Sequence, residues 1–228
     1  MSSSDAPAAH QDPHSSESMS ALEIADWRLQ TFGIYSTVRE IARTSPRDAH
    51  EHWCTERDRM FREHPASALD AASKAHFTGL HVAAYDPDFR FELPLLSRGA
   101  GEVRNVTTGT DGVVPFERLG TFAVPEIGEL AVWRLKTYGG GIFVPLRDTT
   151  AGKAGGSYGA GRYLLDTIKG SFTGVNESGE FILDFNFAYN PSCAYNEAWA
   201  CPLPGPDNRL STAIEAGEMY APDLASTE

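Results

Sequence analysis

Histidine is missing from most of this chain. All seven histidines of the 228 residues fall at or before His81. A Ser-His-Asp triad or a His-rich zinc site beyond Leu80 would therefore have to borrow its imidazole from the N-terminal part. Cysteine is scarce too: three residues make no disulfide framework and read as the thiols of a reducing compartment. Basic side chains are outnumbered, 19 Lys+Arg against 31 Asp+Glu for a net charge of -12. That balance argues against nucleic acid or anionic membrane as a partner, since both need a basic face. No apolar run is long enough for a transmembrane helix, and Met1–Ser20 has no apolar segment of the secretory kind. These absences predict a cytoplasmic protein with no resident metal, and they leave any cofactor unknown.

What is present is ordinary in amount, 41% apolar and 22% charged, but distinctive in order. Residues 1–20, rich in Ser, Ala, Pro and His, have too little apolar surface to offset ordering entropy and read as a disordered tail. Residues 21–220 read as one domain, helical over 21–78 and β over 79–220, with 221–228 as a second tail. Ile24, Trp27, Ile34, Val38, Ile41 and Ala42 recur at helical spacing. Ser45-Pro46-Arg47-Asp48 starts a second helix, with Ser as N-cap and Pro in the first turn. Trp53, Arg57, Met60 and Phe61 share one of its faces, and His64-Pro65 stops it. A short third helix is predicted around Asp70–Phe77.

After Gly79 the period switches to two. Strands are predicted at Leu80–Tyr85, Phe89–Leu93, Glu102–Thr107, Val113–Phe116, Arg118–Val124, Glu129–Leu135, Ile142–Leu146, Arg162–Asp166 and Glu180–Phe187, with Asp111-Gly112 as a tight turn. Some eight or nine short strands without intervening helices predict an α+β, mainly β fold. Its expected form is an antiparallel barrel or sandwich carrying two to three N-terminal helices.

The densest polar motif is Asp184-Phe185-Asn186-Phe187-Ala188-Tyr189-Asn190-Pro191. If the strand runs through it, Asp184 and Asn186 share one face and Leu183, Phe185 and Phe187 the other. Asp and Asn suit strands poorly, so that face lines either a pocket or solvent. The loop from Asp148 to Arg162 is rich in glycine and can offer backbone N–H groups to an anion, although it is neither a Walker loop nor a dinucleotide fingerprint. Arg147, Arg162 and Arg209 are the cations nearest the motif. They pair with carboxylates such as Asp184 or clamp an anionic ligand. Glu215 and Glu218 are available as a second carboxylate for acid–base work. Cys193 and Cys201 lack zinc-knuckle spacing and read as packed thiols or, second, as a redox-sensitive pair. Cys54, four residues after His50, reads as packing.

These residues, with Tyr138-Gly139-Gly140-Gly141, Tyr158-Gly159-Ala160-Gly161-Arg162-Tyr163, Cys201-Pro202-Leu203-Pro204, Asn208-Arg209-Leu210 and Ala216-Gly217-Glu218, resemble one family. It is the bacterial and archaeal domain of unknown function 1684, in its shorter bacterial form, and the likeness runs from about Trp27 to Glu218. Asp207 stands where that family usually has Glu. Ser157 replaces a usual Thr, which predicts a looser loop. The resemblance implies a mainly β architecture and brings no activity with it.

Two functions follow as expectations. In the first, a small polar or anionic molecule binds a pocket in the 147–209 region, with Asp184 and Tyr189 as candidate catalytic groups. Arg147, Thr149, Tyr158, Arg162, Asn186, Asn190, Asn208 and Arg209 are then ligand contacts, and 148–161 is a lid. In the second, the same residues form a buried polar network that specifies the fold, and the protein acts by binding a partner through its helices. A redox sensor built on Cys193 and Cys201 is a thinner third.

Overall fold

A computed structural model describes residues 13–108, 112–197, 199 and 201–225, with no side-chain description for 13–19, 107, 108 and 223. Three helices come first: α1 (Pro13–Ile41), α2 (Pro46–Glu63) and α3 (Ala71–His76). The predicted cap at Ser45 is used, and Asp70 caps the third helix. Ser45 accepts the Asp48 N–H with Pro46 in the first turn of α2, and Asp70 accepts the Ser73 N–H to start α3. Helix α1 runs on through Gly33 and begins at Pro13, inside the stretch expected to be a tail. Residues 1–12 of that stretch, 226–228 of the second and Asp111 of the predicted turn lie outside the described residues. The second tail is also corrected. Ala221 and Leu224 are buried against Phe61 and Tyr195, because a Pro222–Leu224 turn folds them onto α2.

Among the described residues seven strands follow: β1 (Arg90–Leu93), β2 (Val103–Thr108), β3 (Gly112–Val124), β4 (Gly128–Leu135), β5 (Ile142–Leu146), β6 (Arg162–Asp166) and β7 (Phe181–Asp184). Strands β2 to β6 form one antiparallel sheet in sequence order, and β1 pairs antiparallel with β7. The fold is α+β with two antiparallel sheets, and the five-stranded one is not closed into a barrel. Two predicted strands, Val113–Phe116 and Arg118–Val124, are halves of β3, joined through a bulge between Arg118 and Gly120. Leu80–Tyr85 is not a strand; it contributes a single bridge, Val82 to Glu218.

The last predicted strand is also shorter than its pattern. It stops at Asp184, whose side chain accepts the Asn186 N–H and caps a 3-10 turn over Phe185–Phe187. A polar residue that hydrogen-bonds its own backbone two residues on competes with the strand ladder, and here it wins. The period of two is therefore lost. Phe185 joins Leu183, Phe122, Leu146 and Leu164 in the core under the sheet, whereas Phe187 enters the core between α1 and α2. Its ring meets Trp53 edge-on at 5.3 Å and His50 at 5.5 Å. This short turn thus fastens the helical part to the β part.

Gly217 is fixed by the same turn. Its φ is +79°, and a Cβ there would lie 2.6 Å from Phe185 O and 2.7 Å from Ala188 O. Gly217→Ala is expected to cost about 1–3 kcal/mol. A lower urea midpoint with unchanged slope is the readout. An unchanged midpoint would show that the 185–188 turn has room to shift.

Candidate functional site

Arg162 opens β6 and is completely buried. Its Nη1 donates to the carbonyls of Ala216 (2.6 Å) and Glu218 (3.1 Å), and its Nη2 to Ile214 O (2.9 Å) and Asp148 Oδ2 (3.0 Å). Asp148 also accepts from Ser157 Oγ at 2.7 Å and from the Thr150 N–H and Oγ1. Burial opposes the Asp148 charge, but Arg162 and the two hydroxyls outweigh it and hold its pKa below the ordinary value. Arg162 is thus consumed internally and does not clamp a ligand. The 148–161 loop is pinned through Ser157 Oγ to Asp148 and through Gly152 N–H to Ser157 O (2.9 Å).

Two asparagines do similar work. Asn208, fully buried, donates to Ala131 O and Pro145 O and accepts the Trp133 Nε1–H, lacing the 205–210 segment onto β4 and β5. Asn186, also fully buried, pairs with both the N–H and the C=O of Asp86 and donates to Asp184 Oδ1 at 2.8 Å. Asp207, the shortened carboxylate, bonds Arg104. Arg147 donates to Gly159 O, Tyr158 Oη to Cys193 O, and the side chains of Thr149, Arg209 and Glu215 are exposed. All three cysteines are unbridged and half-buried.

Asp184 is buried beside Arg90, with Nε 3.9 Å from Oδ2. Burial pushes its pKa up to about 6, against the pull of the Asn186 and Arg90 donors. It touches an open cleft of about 860 Å³ that also meets Arg39, Arg43, Arg90 and Glu92. None of Arg147, Thr149, Tyr158, Arg162, Asn208 or Arg209 lines that cleft. The single hollow expected around Asp184 and the three arginines is not assembled. Turning the chain at Asp184 sends the following residues to the helices instead.

Those following residues frame a different cavity, of about 60 Å³, between α1, α2 and the 169–171 and 189–192 segments. Tyr189 and Asn190 line it, together with Trp53, Arg57, Lys169 and Ser192. Asp184 and Tyr189, the expected catalytic pair, therefore face separate hollows. Arg57 lies over the rings of Trp53 (4.9 Å), Phe61 (5.3 Å) and Tyr189 (5.1 Å), within the range of cation–π attraction. Its Nη2 donates to the buried Glu218 carboxylate at 2.7 Å. Glu218 also accepts from the Asn190 N–H and from Tyr195 Oη. Burial opposes the Arg57 charge, Glu218 together with Tyr195, Tyr35 and Tyr189 outweighs it, and the pKa lies above its ordinary value. Two buried atoms on this wall, Arg57 Nε and Asn190 Oδ1, have no hydrogen-bond partner.

Of the expected catalytic and ligand-binding residues, then, only Tyr189 and Asn190 reach this cavity. Arg57 was visible in the sequence only as a cation on the apolar face of α2, between Trp53 and Phe61. Lys169 carried no signal. Glu218 was marked as a spare carboxylate and is the counter-ion of Arg57.

A mainly antiparallel α+β domain, with its helices stapled on by a strand-to-turn motif, is the class these features define. Residues 75–219 match the family described as protein of unknown function (DUF1684), and the chain belongs to that family. It is also similar to the solution structure of an uncharacterised protein from gene locus rrnAC0354 of Haloarcula marismortui. The two are 33% identical over 72% of this chain and 89% of that one, with a TM-score of 0.51. No curated protein matches the chain. Among the described residues no helix is long and apolar enough to cross a membrane.

Proposed function

We propose that this protein binds a small anion in the cavity beneath Arg57 and Lys169. One observation carries the proposal: an acidic chain places an arginine and a lysine on one concave site and backs the arginine with three aromatic faces. The volume sets the size. A cavity of about 60 Å³ holds a few water-sized groups, far below the roughly 300–1,000 Å³ of drug-sized sites. Inorganic phosphate or a short carboxylate fits that scale. Arg57, whose Nη2 is held by Glu218, has its Nε–H left for an oxyanion, and Lys169 adds a point charge. No reaction is assigned, and a binding role is the supported one.

The structural-network reading is favoured for a different set of residues. Arg162, Asp148, Asn186 and Asn208 are enclosed and spent on internal partners, so they serve the fold.

Titration calorimetry with phosphate and with acetate tests the site. Arg57→Met is expected to weaken binding at least about tenfold, and Lys169→Met by somewhat less, since charged hydrogen bonds contribute about 1.5–3 kcal/mol. Binding that survives both substitutions would sink the proposal. The Lys169→Met variant guards against a fold defect, because Lys169 is half-exposed.

A further inference from the structure

We propose that the open cleft between the end of α1 and the β1–β7 pair binds a hydroxylated organic anion of sugar-phosphate size. Arg39 and Arg43 take its charge, and Asp184 takes its hydroxyls. The cleft shares no lining residue with the cavity beneath Arg57, so the two sites stand or fall separately.

The charge argument starts from composition. With 19 Lys+Arg against 31 Asp+Glu, carboxylates are in excess, yet two arginines lining this cleft have none. Among the described residues, Arg39 makes one side-chain hydrogen bond, from Nη1 to Phe172 O at 2.8 Å, and Arg43 makes none. The ion pairs at the cleft belong to Arg90, which reaches Glu92 at 2.8 Å and Asp184 at 3.9 Å. Arg39 is also held in place by packing. A Cβ added at Gly174 would lie 3.3 Å from Arg39 Cδ. The rest of its fork is left for an oxyanion, and Arg43, four residues on, lines the same cleft.

Asp184 supplies the second observation. It is 2% exposed, and its two oxygens are used differently. Oδ1 accepts from the Asn186 N–H at 3.1 Å and from Asn186 Nδ2 at 2.8 Å. Among the described residues Oδ2 accepts no hydrogen bond, since Arg90 Nε at 3.9 Å is beyond reach. A buried carboxylate oxygen left open on the wall of a cleft calls for a donor from a ligand.

That donor is neutral. Arg90 already stands beside Asp184 and Glu92, and an ammonium group brought there would be repelled. A hydroxyl meets no such repulsion and gains a charge-assisted bond. Phe172 and Ile182 line the cleft as well and offer apolar surface to a carbon skeleton. The volume of about 860 Å³ falls in the range of about 300–1,000 Å³ that organic ligands occupy.

Titration calorimetry on the full chain compares two phosphate monoesters, glucose-6-phosphate and propyl phosphate. The sugar ester is expected to bind at least about tenfold more tightly, the worth of one charge-assisted hydrogen bond. Arg43→Met should weaken the sugar ester at least about tenfold; Arg43 is exposed, so the fold is kept. Asp184→Asn retains the Oδ1 bonds. It should bring the sugar ester down to the affinity of propyl phosphate and leave propyl phosphate unchanged. Equal affinities in the parent protein overturn the proposal, as does a sugar ester that fails to bind at millimolar concentration. So does an Arg43→Met variant that binds as tightly as the parent. An Asp184→Asn variant that moves both probes alike, or neither, would reduce Asp184 to a structural role and overturn it too.

Discussion

Arg162→Met is expected to lower the stability of this protein by about 3–5 kcal/mol, the usual cost of breaking a buried ion pair from one side. The substitution keeps most of the side-chain volume, so packing loss is small. What it removes is the donor set for Asp148 and for the carbonyls of residues 214, 216 and 218. Asp148 is left charged or is forced to take up a proton, and the carbonyls lose partners that water cannot replace. Pairing the change with Asp148→Leu removes the stranded charge. The double variant is expected to be more stable than the sum of the singles by roughly 1–3 kcal/mol in a double-mutant cycle. Urea unfolding of the four proteins measures both numbers.

The same pair gives an acid limb to stability. The folded pKa of Asp148 lies below its ordinary 3.8. Its contribution is therefore complete above that value and is lost as pH falls through the folded pKa. Arg162→Met should flatten this limb. If it instead tolerates the change within about 0.5 kcal/mol, as an exposed position would, the network is not what orders the 148–162 and 214–218 segments.

How much of this was legible beforehand depended on whether the signal was local. Ser45-Pro46, Asp70 and His64-Pro65 mark helix ends through bonds made within a few residues, and the structure uses each of them. Strands β5 and β6 lie between turn-rich segments and have the predicted bounds. The motif at Asp184 misled because its alternation of polar and aromatic residues satisfies two geometries. A strand would put both phenylalanines in one core, whereas a capped turn delivers them to two. Only the Asp184–Asn186 bond decides between them. Arg57 and Glu218, 161 positions apart, meet because α2 packs over the 185–189 turn. No window of sequence contains that contact. Arg162 stood out as a cation near the motif and was read as a ligand clamp, because its carbonyl partners belong to residues whose side chains carry no trace of the bond.

Asp184→Asn is expected to stabilise the protein at pH 8 by about 1–3 kcal/mol and to do almost nothing at pH 4. The folded carboxyl has its pKa at about 6 against an ordinary 3.8. Between those values the folded state keeps a proton that the unfolded state has released, so stability falls as pH rises through this window. A difference of about two units is worth about 3 kcal/mol once the pH is above both. Asparagine keeps the Oδ1 that accepts both Asn186 donors and carries no charge to desolvate. The loss of Arg90 offsets part of the gain, since its Nε is 3.9 Å away and the side chain is partly exposed. Urea midpoints of both proteins from pH 4 to 8 should converge on the acid side and separate on the alkaline side. A variant less stable than the parent at pH 8 would mean that Arg90 stabilises the carboxylate by more than burial opposes it.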